Sequence, residues 1–117
     1  MQLPNRQRAI VDIRKLRDYC LDPNSPKGRS KARVFRSALG LTQSDATFLR
    51  DALLRAASES PCVLGERDEF GQRYSVDFEM RTLHGTRRIR SGWIVKAKED
   101  FPTLTTCYVL TRRTTKR

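Results

Sequence analysis

The stretch RYSVDFEMR, residues 73–81, decides the fold class of this chain. Apolar side chains alternate there with polar or charged ones, and the apolar members are Tyr74, Val76, Phe78 and Met80. A period of two is typical of a β-strand with one buried face. The pair His84-Gly85 follows as a turn, because glycine adopts positive φ without steric cost.

More strands are expected on both sides of this one. Residues 87–96 and 104–111 are rich in β-branched and aromatic residues, and residues 62–64 form a weaker candidate. In the last strand, strict alternation places Thr103 and Thr105 on one face and Thr106 and Tyr108 on the other. The links between strands are short, which favours antiparallel neighbours.

The N-terminal half has helical spacing instead. Helices are predicted over residues 12–21, 30–39 and 42–58, with Asp12 and Ser30 as N-caps. Gly40 is placed to end the second helix in the left-handed region, and Thr42-x-x-Asp45 is a variant capping box that opens the third. Two or three N-terminal helices followed by an antiparallel sheet of three or four strands make an α+β fold.

Length and composition suggest the organisation of the chain. A chain of 117 residues supports one domain, which we place at residues 11–111 between a flexible basic N-terminus (1–10) and a basic C-terminal tail (112–117). No apolar run is long enough for a membrane span and no signal peptide is apparent, so a cytoplasmic protein without membrane contact is expected. The three cysteines lack metal-ligand spacing and are predicted to be buried thiols, with no metal and no cofactor.

The charge indicates the class of partner. The chain has 24 Lys plus Arg against 13 Asp plus Glu, a formal net charge of +11. Such an excess favours polyanions: nucleic acid, an acidic protein or an anionic membrane surface. Of these we expect nucleic acid, RNA more than DNA, or a small acidic companion or inhibitor protein, and no membrane. P-loop, Rossmann, G-x-S-x-G and H-E-x-x-H motifs are absent, which excludes the enzyme classes that depend on them.

A cluster of basic residues surrounds the start of the second predicted helix. Free amides at a helix N-terminus attract phosphate, and neighbouring cations would strengthen that attraction. The chain also carries arginines along the strand at residues 87–96. The candidate phosphate-binding residues are Lys27, Gly28, Arg29, Ser30, Arg33 and Arg88.

Four stretches together resemble a small bacterial domain family of unestablished function. They are KLRDYCLDPNSPKGRSKARVFRSALGL (15–41), DATFLRDALLRAA (45–57), GQRYSVDFEM (71–80) and RIRSGWIVKAKEDFPTLTTCYVL (88–110). The resemblance implies a toxin-type or mobile-element module, and its fold order is similar to that of barnase, colicin and RelE-like ribonucleases. The family pattern commonly has His where this chain has Ser25, so a catalytic base at that position would be missing here.

With that resemblance, the leading hypothesis is an RNA-targeting, toxin-like protein that cleaves RNA without a metal. Lys31 would contact the scissile phosphate and Arg90 would stabilise the transition state. Thr106 or Tyr108 would orient the nucleophile or the leaving group. Two alternatives stay open: a non-catalytic nucleic-acid-binding module, and a basic protein that binds an acidic protein partner.

Overall fold

Three helices precede a four-stranded sheet in the computed structural model, which describes residues 1–110. The first helix, α1 (Ile13–Lys15), continues directly as a π-helical turn (Leu16–Cys20). It is followed by α2 (Arg29–Leu39) and α3 (Ala46–Glu59). The predicted α+β class is therefore confirmed.

The sheet is antiparallel throughout, with the strands in chain order. Its members are β1 (Val63–Asp68), β2 (Gly71–Thr82), β3 (Gly85–Lys96) and β4 (Pro102–Val109). The weak strand signal near residue 62 corresponds to β1, which pairs with β2 only over Gly71–Ser75. The prediction for the last strand extends to Thr111, which lies outside the described residues.

Three of the four helix-end signals predicted from the sequence are present in the structure. The Asp12 side chain accepts the Arg14 backbone N–H at 3.0 Å, and Gly40 has φ 71° as the residue after α2. Thr42 and Asp45 form the expected capping box, which opens a short 3-10 turn ahead of α3. The N-cap prediction at Ser30 is wrong, because α2 already begins at Arg29.

The core lies between the helices and one face of the sheet. Phe35, Leu53 and Trp93 are fully buried there, and all three cysteines are buried free thiols, as predicted. Ser91 is the only buried polar residue among residues 1–110. Its hydroxyl donates to the Val76 carbonyl at 2.8 Å and accepts the Trp93 indole N–H at 2.9 Å, so neither polar group is left unpaired in the core.

Residues 1–10, for which flexibility is predicted, lie against the domain. Leu3 is 1% exposed and belongs to the core. Ile10 pairs with Thr103: its backbone N–H donates to the Pro102 carbonyl, and its carbonyl accepts the Leu104 N–H, both at 2.9 Å. The segment thus covers the start of β4. No helix within residues 1–110 has the length and apolar character needed to cross a membrane.

A β-bulge in β4 overturns the predicted division of its threonines. Thr106 pairs with Gly92, while the preceding residue pair of the ladder is Leu104 with Trp93, so Thr105 is an extra residue. The extra residue shifts the alternation by one position. Thr103 therefore shares the open face of the sheet, the one away from the helices, with Tyr108, whereas Thr106 adjoins the bulge and its hydroxyl is buried near Cys20.

Candidate nucleic-acid interface

A groove beside α2 carries three arginines on one wall. Arg29, Arg33 and Arg36 follow the i, i+4, i+7 spacing, which places them on one side of the helix. The groove has a volume of about 420 Å³. Its other lining residues are Leu21, Pro23, Ala32, Leu41, Thr42, Gln43 and Ser44. No acidic side chain is among them, so the lining carries three positive charges.

The arginines of this wall are not neutralised by ion pairs. Residues 1–110 form six salt bridges, and Arg29, Arg33 and Arg36 take part in none of them. A guanidinium remains charged at every physiological pH and presents a planar set of N–H donors that matches phosphate oxygens. The wall is therefore suited to binding an anion with several phosphates.

The loop before α2 is packed rather than open. A Cβ at Gly28 would overlap the backbone carbonyl of Tyr19, so only glycine allows this close approach. The Gly28 N–H donates to Ser25 Oγ at 3.1 Å. Ser25, which stands where the resemblance implies His, thus supports the turn that leads into the helix.

Lys31 points away from the arginine wall and contacts Tyr19. Its Nζ lies 3.3 Å from the Tyr19 hydroxyl oxygen and 5.2 Å from the centre of that ring. The contact joins α2 to the π-helical turn. Tyr19 was not predicted as a site residue, and its separation of 12 positions from Lys31 offers no periodic signal that would have identified it.

Two thiols and a hydroxyl lie next to this pair. The Cys20 and Cys107 thiols lie together in the core, and the interaction with Cys107, aided by the positive charge of Lys31, lowers the pKa of Cys20 to about 7. The same interaction and the burial of the group raise the pKa of Cys107. The Thr106 hydroxyl is close to Cys20 but is buried without a hydrogen bond of good geometry among the described residues.

Arg90 and Tyr108 face each other across β3 and β4. On its other side Arg90 holds Asp77 of β2 in a two-bonded ion pair, with Nε–Oδ1 at 2.9 Å and Nη2–Oδ2 at 2.8 Å. The Arg90 guanidinium lowers the pKa of Asp77, and the carboxylate in turn raises the pKa of Arg90. The charge of Arg90 is therefore largely offset by a partner of its own.

The four candidate catalytic residues form two neighbouring groups along β4. Arg90 and Tyr108 are opposite each other on the open face, and Thr106 lies two positions before Tyr108, next to the bulge. The charge of Lys31 and the hydroxyl of Thr106 both affect the Cys20 thiol and lower its pKa. Thr106 is thus the residue that links the two groups.

The candidate phosphate-binding residues are dispersed. Arg29 and Arg33 line the groove beside α2, whereas Lys27 and Ser30 are exposed outside it. Arg88 lines a separate groove of about 770 Å³ between α3 and β2. Reasoning from sequence missed Arg36, although its spacing from Arg29 and Arg33 carries the helical signal.

Comparison with known proteins identifies the family to which the chain belongs. A family model described as a domain of unknown function, DUF6883, matches residues 2–111. No curated protein matches the chain.

Proposed function

We propose that this chain, which belongs to the DUF6883 family of domains of unknown function, binds RNA and holds its phosphate backbone with Arg29, Arg33 and Arg36. The observation that carries the proposal is that these three arginines, on one side of α2, form no ion pair within residues 1–110. Lys and Arg side chains that neutralise phosphates supply most of the affinity of non-specific nucleic-acid binding.

Polar residues that line the same groove support RNA as the polyanion. Thr42, Gln43 and Ser44 also line the groove and bring two hydroxyls and an amide to it. Such groups can hydrogen-bond the 2′-hydroxyl, which distinguishes RNA from DNA. An acidic protein could bind to the same positively charged wall. The experiments must therefore distinguish RNA binding from binding of an acidic protein.

Fluorescence anisotropy with a labelled 12-nucleotide RNA tests the proposal. Arg33→Gln removes one charge from the groove, and Arg67→Gln removes one from the exposed residues of β1, where Arg67 forms no ion pair within residues 1–110. We expect Arg33→Gln to weaken binding about fivefold, a loss of roughly 1 kcal/mol, and Arg67→Gln to change it by less than about twofold. Absence of RNA binding, or equal weakening by both variants, would contradict the proposal.

Metal-independent cleavage of RNA is a second candidate function. It is favoured by the contact between Lys31 and Tyr19 and by the buried Thr106 hydroxyl, which has no hydrogen-bond partner within residues 1–110. In this reaction the 2′-hydroxyl gives its proton to water and its oxygen attacks phosphorus to form a 2′,3′-cyclic phosphate, while the P–O5′ bond breaks and O5′ takes a proton. Lys31 would stabilise the phosphorane charge, while Tyr108 would donate the proton to O5′. Arg90 is less suited to that stabilisation than expected, because Asp77 already holds it.

Incubation of the protein with RNA in EDTA tests this second function. Products ending in a 2′,3′-cyclic phosphate, lost in Lys31→Met and kept in Lys98→Met at an exposed position without an assigned role, are the expected result. A growth defect on expression of the wild-type chain, absent for Lys31→Met, would support a toxin-type role. Intact RNA together with normal growth would reject cleavage while leaving RNA binding in place.

A further inference from the structure

The groove beside α2 has an apolar floor as well as a charged wall. Leu21, Ala32 and Leu41, each at most 5% exposed, lie at the base of this floor, and the exposed Pro23 adds apolar surface beside them. A phosphate group alone gains nothing from apolar surface, whereas the flat face of a nucleobase does. The volume of about 420 Å³ lies in the range of small-ligand pockets.

The part of the groove formed by Thr42, Gln43 and Ser44 is held in place by hydrogen bonds. The Gln43 amide nitrogen donates to the Arg17 carbonyl at 2.7 Å. This bond orients the amide and leaves its oxygen as an acceptor. Thr42 Oγ1 and Ser44 Oγ are 2.9 Å apart in a hydrogen bond. These hydrogen bonds therefore fix the polar atoms of Thr42, Gln43 and Ser44 in place before a ligand binds.

We infer that the groove holds one unpaired nucleotide of the RNA, with its base on the apolar floor and its flanking phosphates on Arg33 and Arg36. The inference rests on the proposed RNA binding and names the form of RNA that is bound. The base has to leave any helix to enter the groove, so single-stranded RNA is the ligand. The planar guanidinium groups at the rim can also stack on the base. The oxygen of the Gln43 amide is placed to accept an N–H from the base edge.

A substitution that fills the groove without changing its charge separates base binding from phosphate binding. Ser44→Phe places a ring at the rim, and Thr47→Phe places the same ring on an exposed position of α3 outside the groove. We expect Ser44→Phe to weaken single-stranded RNA binding about tenfold and to leave the weaker binding of a duplex of equal length unchanged. Thr47→Phe should match the wild type.

A second measurement uses the wild-type protein and avoids any folding defect of the variant. NMR titration compares AMP with ribose 5-phosphate. Tighter binding of AMP, with shifts of the Ala32 and Leu41 methyl signals, is the expected result. Equal binding of the two ligands, or equal affinity for single-stranded and duplex RNA, would overturn the base subsite and leave phosphate binding intact. Failure to bind any RNA, or preference for a polyglutamate peptide, would overturn the proposed function itself.

Discussion

Arg90 of β3 forms two hydrogen bonds to Asp77 of β2, at 2.9 and 2.8 Å, on the open face of the sheet. Both side chains keep partial solvent access, with 44% of the Arg90 side chain and 27% of the Asp77 side chain exposed. The pair lies directly beside Tyr108. Because the Asp77 carboxylate offsets its charge, Arg90 mainly joins β2 to β3. A catalytic role for Arg90 would require this ion pair to break.

Arg90→Gln should raise the pKa of Asp77 toward its ordinary value of 3.8, since the guanidinium is the main cause of the lowered pKa. A carboxyl with a lowered folded-state pKa stabilises the protein above pH 3.8, and that contribution is lost as the pH falls through the folded value. The free energy of unfolding of the variant should therefore be lower than that of the wild type by at most about 1 kcal/mol at neutral pH. On acidification the variant should lose less stability than the wild type does. NMR titration of Asp77 measures this shift, and an unchanged pKa would contradict the ion pair.

Gly28→Ala should destabilise the fold by about 1–3 kcal/mol, because the added methyl group overlaps the Tyr19 carbonyl and the backbone must move. Thermal unfolding followed by circular dichroism measures the loss. Ser30→Ala is the control: Ser30 is exposed inside α2 and does not cap it, so its unfolding curve should follow the wild type. Comparable losses in both variants would show that the loop is not packed as described.

Lys31→Met should raise the pKa of Cys20 above about 7, because the positive charge of Lys31 favours the thiolate. Carbon-13 NMR of the Cys20 β-carbon reports the titration directly. Lys27→Met removes an equal charge from an exposed position of the preceding loop and should leave this pKa in place. An identical Cys20 titration in the wild type and in Lys31→Met would place the Lys31 ammonium away from the thiol.

The sequence predicted those features that depend on neighbouring residues. The alternation along β2, the capping box from Thr42 to Asp45 and the terminator Gly40 are all local, and all are present. The order of helices and strands followed from these signals.

Features that depend on contacts between distant segments were not predictable in this way. The extra residue Thr105 reversed the face of Thr103, because a bulge interrupts the period of two. Pairing of Arg90 with Asp77 is set by the register between β2 and β3. The contact of Gly28 with Tyr19 depends on how the loop folds back on the π-helical turn.

The salt dependence of RNA binding tests the central claim most directly. On single-stranded RNA, each phosphate neutralised by a basic side chain contributes about 0.7 to the slope of log K against log salt. The triple variant Arg29→Gln, Arg33→Gln, Arg36→Gln should therefore have a slope smaller in magnitude by about 2 than that of the wild type. A slope equal to that of the wild type would contradict the claim that α2 holds the phosphate backbone.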